Sequence, residues 1–422
     1  MKNSFIIIFV LYGFFYWGCS VSFAVNGTFH NIQFPEISMP IGNALSMPYG
    51  VGGDNSGRVM CPNKKTAPDG IVSNCEGIST QAIDLQNYIS NSYVNAPACK
   101  VIINGSSHIY PSIQDPNSKI SGKPDACGYG DMTLFNGLIC AGDVSGYGWS
   151  ASESDACQAV RDAQNSEGRM WRSPYRKTIN SFNEVNTFSP DMDLGVLLYA
   201  VVAEDKELLQ NWWTWIHQMT PCGVNNPFSP KDCMIRKLPR YCDDDICSLR
   251  PWDVKIIEEV AAYLNLNLPS QLQNYDNTLG TLIFFPEAKD LLDNLTASKY
   301  ILLSTIFSHP GFPLHLEGVR IFLLRLMKRG EEDLLVKATQ ILAQRQPKNP
   351  FFSYLNDGGP TKAASENTLD LFNKTCTSQH ISEKDAHEQW AWQRADEDKA
   401  WLKGSLWECR FMAQFLYAST NE

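Results

Sequence analysis

"FSPDMDLGVLLYAVVAEDKELLQNWWTWI", Phe188 to Ile216, decides the fold class. Leu194, Leu197, Leu198, Val201 and Val202 fall at i, i+3, i+4, i+7 and i+8, a spacing that lays them along one face of a helix. Ser189 and Pro190 open it. A serine at the cap can accept from the first free N–H groups, and a proline is at home in the first turn, where its missing donor is not needed. The spacing predicts a helix over 190–203 and a second over 205–219, the latter carrying Trp212, Trp213 and Trp215. Asp191 precedes Leu194 by three and sits at the top of the apolar face. Asp193, two residues on, is turned roughly 200° from it. "DMTLFNGLICA" from Asp131 repeats the same opening, with Leu134, Phe135 and Leu138 following at +3, +4 and +7. Two helices that start this way and run parallel would place both acids at one end of the body, where partial burial raises a carboxyl for acid work. The plain alternative is that each acid serves its helix dipole, an effect of about 0.3–1 kcal/mol.

Working outward, apolar spacing predicts further helices over 80–93, 131–141, 155–165, 252–264, 286–293, 297–307, 314–329, 331–345, 364–373 and 399–418. Ser154-Asp155 and Pro251 are start signals. Strand signals are few, at 100–110 and 281–285. Residues 25–79 are rich in Gly, Pro, Asn and Ser, which is turn and loop chemistry. The expected fold class is mainly α: an α/α toroid-like helical domain over 80–422, preceded by an irregular N-terminal arm stapled through Cys61 and Cys75. A solenoid or an irregular bundle is the alternative, although no regular repeat accompanies the helices.

The 188–216 stretch resembles a helix of the six-hairpin (α/α)6 glycosidases of the endoglucanase and chitosanase type. Their signature runs Glu, then Gly-Tyr-Gly-Met, then Leu-Trp-x-Trp. Gly195, Ala200-Val201 and Trp212-Trp213-Thr214-Trp215 echo that order across about thirty of the 422 residues. Pro190, Leu194 and Val196 stand where the family carries Glu, Tyr and Met, so the family's acid falls one place from Asp191. The resemblance implies a toroid fold and a glycan-hydrolysing activity, and it points to Asp191.

The N-terminus has the form of a targeting segment. Lys2 is followed by an apolar run from Phe5 to Trp17, and Ser22-Phe23-Ala24 fits cleavage after Ala24, making 1–24 a signal peptide. Acylation of Cys19 is the alternative, and would anchor the chain to a lipid surface. Of the thirteen cysteines only Cys19 lies in that segment. An even remainder reads as disulfides in an oxidising, secreted or periplasmic setting. Cys222/Cys233 and Cys242/Cys247 are natural partners by proximity. A formal charge of −10 argues against nucleic acid, whose phosphates require a basic surface. No transmembrane span is expected after the signal. No metal site and no cofactor fingerprint is found; the acids of "CDDDIC" lack the alternating spacing of calcium ligands.

Three other segments carry chemistry. "EGRMWRSPYRK" (167–177) offers Trp171, Arg172 and Tyr175, where aromatic faces stack on sugar rings and Arg grips acidic groups; a loop anchored by its tryptophan is the plain reading. "EQWAWQRADEDKAWLKGSLWECRFMAQFL" (388–416) offers Trp390 and Trp392 as further sugar platforms. There Glu408 shares a face with Phe411, Met412 and Phe415, so it is directed inward, with Arg410 or Arg394 as the expected partner. "HPGFPLHLEGVRIFLLRLMKR" (309–329) places His315 and Glu317 at a helix start, with His315 read as a hydrogen-bonded core residue. "RQPKNPFFSYLNDG" (345–358) reads as a loop with exposed aromatics. Sequons stand at Asn26, Asn104, Asn294 and Asn373. The function expected is a secreted glycan-active hydrolase or lyase using Asp191, Asp131 and Glu408, acting on a polysaccharide or oligosaccharide. The alternative is a non-catalytic secreted or envelope binding and interaction protein.

Overall fold

The computed structural model describes residues 85, 88–89, 98–103, 105–111, 132–174, 177, 188–227, 229–242, 247–276, 295–376 and 400–420. The chain divides at Val59/Met60 into two units, and every described residue falls in the second. The expected signal peptide and arm, the helix over 286–293 and the strand over 281–285 lie outside the described residues, as does most of the helix over 80–93.

The described chain is mainly helical, with twelve α-helices: α1 Met132–Ala141, α2 Asp155–Asp162, α3 Pro190–Ala203, α4 Lys206–Gln218, α5 Pro251–Leu264, α6 Ser270–Gln273, α7 Ala297–Phe307, α8 Phe312–Leu326, α9 Glu332–Arg345, α10 Pro350–Asp357, α11 Glu366–Cys376 and α12 Ala400–Thr420. Two antiparallel hairpins accompany them. One pairs β1 Ala98–Ile103 with β2 Ser106–Pro111, in register from Ala98 opposite Pro111 to Ile103 opposite Ser106. The other pairs β3 Cys222–Asn226 with β4 Ser229–Arg236 through an irregular register.

Most helices form where periodicity and caps place them. Ser154 caps α2 by accepting from the Cys157 N–H at 3.1 Å. Pro251 stands in the first turn of α5. Thr296 caps α7 by accepting from Lys299 N–H. Three expectations need correction. Residues 350–357 are not a loop. Asn349 accepts from the Phe351 and Phe352 N–H groups, Pro350 suits the first turn, and the resulting α10 buries Phe351 and Phe352. The β3–β4 hairpin, which the apolar pattern does not reveal, leaves Val224 and Met234 exposed and is closed by Cys222–Cys233. Ser189 does not cap α3 through its side chain; its hydroxyl donates to the Asp191 carboxylate instead.

Helix α3 is enclosed on every side. All residues from Asp191 to Val201 are buried, because Met192, Val196, Tyr199 and Ala200 make the supposed outer face as apolar as the inner. Its closest neighbour is α1, and glycine makes the approach possible. A Cβ on Gly195 would lie 2.0 Å from the Thr133 carbonyl oxygen, and one on Gly137 would lie 2.2 Å from the Gly195 oxygen. Backbones meet there with no room for a methyl group. Helix α12 packs on α1 and on α11, and α8 packs against α3, α5, α7, α9 and α10. Phe322, Phe351, Phe411 and Phe415 join α8, α10 and α12, with Phe322 and Phe415 edge to face at 4.7 Å between ring centres. Each such side chain, fully buried, contributes about 1.5–3 kcal/mol.

Among the described residues four disulfides are formed. Cys140–Cys157 ties α1 to α2, and Cys376–Cys409 ties α11 to α12. Cys222–Cys233 and Cys242–Cys247 are the two neighbouring pairs expected from sequence. No described helix is long and apolar enough to cross a membrane.

Candidate functional site

The first turns of α3 and α5 meet the middle of α8 at a buried cluster of acids. Asp193 of α3 is fully enclosed, which corrects the expectation that it faces away from the core. Its Oδ2 accepts from the Tyr241 hydroxyl at 2.8 Å. Its Oδ1 has no partner among the described residues. Asp253, in the first turn of α5, accepts from the Arg250 backbone N–H at 3.0 Å and from Arg320 at 3.3 Å. Arg320 also donates to Glu317, one helical turn before it on α8, at 2.7 Å. Ser304 of α7 donates to the same Glu317 oxygen at 2.7 Å. Asp191 stands beside this group, 7% exposed against 0% for Asp193.

Burial dominates the electrostatics. It pushes the Asp193 carboxyl well above the ordinary aspartate value, with the Asp253 charge adding to the rise and the Tyr241 hydrogen bond opposing it. Burial also raises Asp253 and Glu317, with Arg320 pulling both back. The Tyr241 hydroxyl is driven upward by burial and then by Asp193 and Asp253, so it stays a donor. Its position is set by its backbone: Tyr241 N–H donates to Cys247 O at 2.9 Å across the loop that Cys242–Cys247 closes.

The expected site residues that are described, Asp191, Glu408, Trp171 and Arg172, are not brought into one contact network. Asp191 belongs to this cluster. Glu408 is fully buried, as its helical face implies, and it meets His315 at 3.0 Å; Arg394, one of the two arginines expected beside it, lies outside the described residues. Arg410, the other, pairs with Asp143 at 3.3 Å. Asp143 also accepts from Ser154 at 2.6 Å and from Gln414. It lies in a π-helical turn, Gly142–Gly146, that follows α1. Trp171 is buried, with the Arg169 guanidinium 4.2 Å above its ring, so it fits the anchoring role and presents no open face. The Arg172 carbonyl accepts from Thr133, which ties this loop to α1. Asp131, Tyr175, Trp390 and Trp392 lie outside the described residues. No group of three or more metal-ligating side chains is assembled among the described residues.

Sequence reasoning missed Tyr241, Asp253 and Arg320. A signal existed for two of them. Arg320 interrupts an apolar helix, and an arginine inside such a run needs a buried acid. Asp253 opens a helix whose next residues are apolar. Tyr241 had none, because only the disulfide loop brings it to Asp193. Comparison of the chain with protein-family models, curated proteins and solved structures gives no match.

Proposed function

We propose that the protein is a secreted glycan-active hydrolase or lyase built on an α/α toroid, in which Asp191 exchanges protons with the substrate. The observation that carries this reading is the placement of Asp191. It stands in the first turn of a helix buried on all sides, at the more exposed edge of a group of interior acids. A general acid or base must reach both the substrate and an environment that tunes it, and Asp191, itself buried at 7% exposure, is the least enclosed carboxyl of the group, ahead of Glu317 at 5%. The alternation of enclosed helices such as α3 and α8 with partly exposed ones such as α4 and α9 supports the toroid. Tyr175, Trp390 and Trp392 are the aromatic candidates for holding sugar, and Arg172 is the candidate for gripping an acidic group. Asp131 remains the candidate second acid. Glu408, closed off with His315, serves the core in this reading.

The test is a polysaccharide panel on purified, oxidised protein, read by new reducing ends for hydrolysis or by ultraviolet absorbance of unsaturated ends for elimination. Asp191→Asn should slow turnover by about 10²–10⁴-fold with the melting temperature nearly kept. A variant that melts earlier yet turns over normally would return Asp191 to its helix dipole.

The second reading is a non-catalytic secreted or envelope interaction protein. The buried Trp171 and the closed Glu408–His315 pair favour it, since both are residues expected to serve a cleft that the fold instead spends on packing. Binding of a glycan without product, undisturbed by Asp191→Asn, would select it.

A further inference from the structure

The cluster beneath Asp191 holds more acid than it holds counter-charge. Asp193, Asp253 and Glu317 are each at least nine-tenths buried, and among the described residues Arg320 is the one guanidinium hydrogen-bonded to them. Arg250 adds a positive charge near Asp253, but from an exposed position. Asp191 adds a further carboxyl at the edge. Among the described residues the other groups facing the cluster are neutral donors: Tyr241 from the disulfide loop, Tyr275 beyond α6, whose hydroxyl donates to Leu249 O at 2.8 Å, and Ser304 from α7. A full set of carboxylates would leave at least one buried negative charge without a cation, at a cost of several kcal/mol. Removing that charge by holding a proton is the cheaper solution.

Geometry selects the residue that holds it. Asp253 has a backbone N–H and a guanidinium, and Glu317 has a guanidinium and a hydroxyl, so both are supported as anions. Asp193 has only the Tyr241 hydroxyl on one oxygen and nothing on the other among the described residues. We propose that Asp193 exists in the folded protein at neutral pH as a proton-bearing carboxyl, and that it is the positioning residue behind Asp191. Two residues apart in one helical turn, the two side chains feel each other's charge. A neutral Asp193 removes one like charge from beside Asp191. Tyr241, fixed by the Cys242–Cys247 loop, holds Asp193 in place. The positioning role rests on the proton-exchange role proposed for Asp191; the protonation of Asp193 does not.

Infrared spectroscopy of the full, oxidised protein tests this. A protonated carboxyl has a carbonyl stretch well separated from carboxylate bands. At neutral pH the wild type should show such a band, and Asp193→Asn should remove the intensity of one carboxyl. Tyr241→Phe should keep the band and move it to higher frequency, because a carboxyl that loses a hydrogen bond has a stiffer carbonyl; this variant decides the matter if Asp193→Asn does not fold. Absence of the band, or its persistence unchanged in both variants, overturns the inference and leaves the glycan reading standing. Failure of every polysaccharide would reject the glycan reading and leave the band in place. Where turnover is found, Asp193→Asn exchanges a neutral carboxyl for a neutral amide and should leave the pH profile in place around neutrality; a shifted profile would show that Asp193 carries charge there and overturn the inference.

Discussion

Two buried polar groups, built from similar side chains, differ in how completely they are matched. Around Asp143 a single carboxylate receives Arg410, Gln414 and Ser154, and these donors come from α12 and the cap of α2. Around Arg320 a single guanidinium faces Glu317 and Asp253, with Asp193 behind them holding one oxygen that has no partner among the described residues. The first arrangement satisfies its acid and fastens the C-terminal helix to the π-turn. The second leaves an acid under-supplied in the interior, and such imbalance is where pKa values move and chemistry becomes available. The difference separates a polar group that serves the fold from one that exceeds what the fold needs.

The sharpest way to break the comparison is to remove the shared cation. Arg320→Met should strip both Asp253 and Glu317 of their charge partner and cost about 3–5 kcal/mol, read from urea unfolding. A loss below 1 kcal/mol would show that the cluster is not held by Arg320. Next comes the same substitution applied to both groups. Asp143→Asn takes the charge from a matched site and weakens the hydrogen bonds from Arg410 and Gln414, so it should destabilise by about 1–3 kcal/mol.

The pH dependence follows from the raised carboxyls. Asp193, Asp253, Glu317 and Asp143 all titrate above their ordinary values, each chiefly through burial. The folded state therefore binds protons more tightly than the unfolded chain. From the ordinary aspartate value of 3.8 up to the raised folded values, stability should fall as pH rises, by up to about 1.4 kcal/mol per pH unit for each whole proton released. Urea midpoints should accordingly increase on mild acidification, and Asp193→Asn should flatten that slope by about one proton. A midpoint that climbs steadily with pH through this window would contradict the direction of these shifts. The smallest effect belongs to Asp193→Asn measured at neutral pH. Because the amide can still accept from Tyr241 and no charge is lost from a neutral group, stability should change by no more than about 1 kcal/mol, in contrast to Asp143→Asn.

Much of the helical order was legible. The bounds of α3 and α7 follow directly from apolar spacing and their start signals, and Cys222–Cys233 and Cys242–Cys247 follow from proximity. Helix α10 was not legible, because Pro347, Asn349 and Pro350 read as loop chemistry, whereas Asn349 and Pro350 together start a helix. Asp191 was legible as a candidate, since it stands three residues before the first leucine of its helix. Asp193 was not, because a period of 3.6 assigns one buried face and takes the opposite face as solvent. That rule fails when a helix is surrounded, as the enclosed α3 is. Glu408 was correctly read as inward, but nothing in the sequence pointed to His315, which lies 93 residues earlier along the chain.

The sequence by itself determined the class of elements, the caps that start them, the cysteine pairs close along the chain and the acidic balance of the molecule. These depend on interactions a few residues apart, and periodicity and side-chain chemistry report them directly. Only the tertiary structure decided which carboxyls share a counter-charge. Asp193 lies 48 residues from Tyr241, Asp253 lies 67 from Arg320, and Asp143 lies 267 from Arg410. Desolvation and charge pairing depend on distance in space, and the Gly137–Gly195 contact that brings α1 against α3 is set by a missing methyl group that no hydrophobic pattern records.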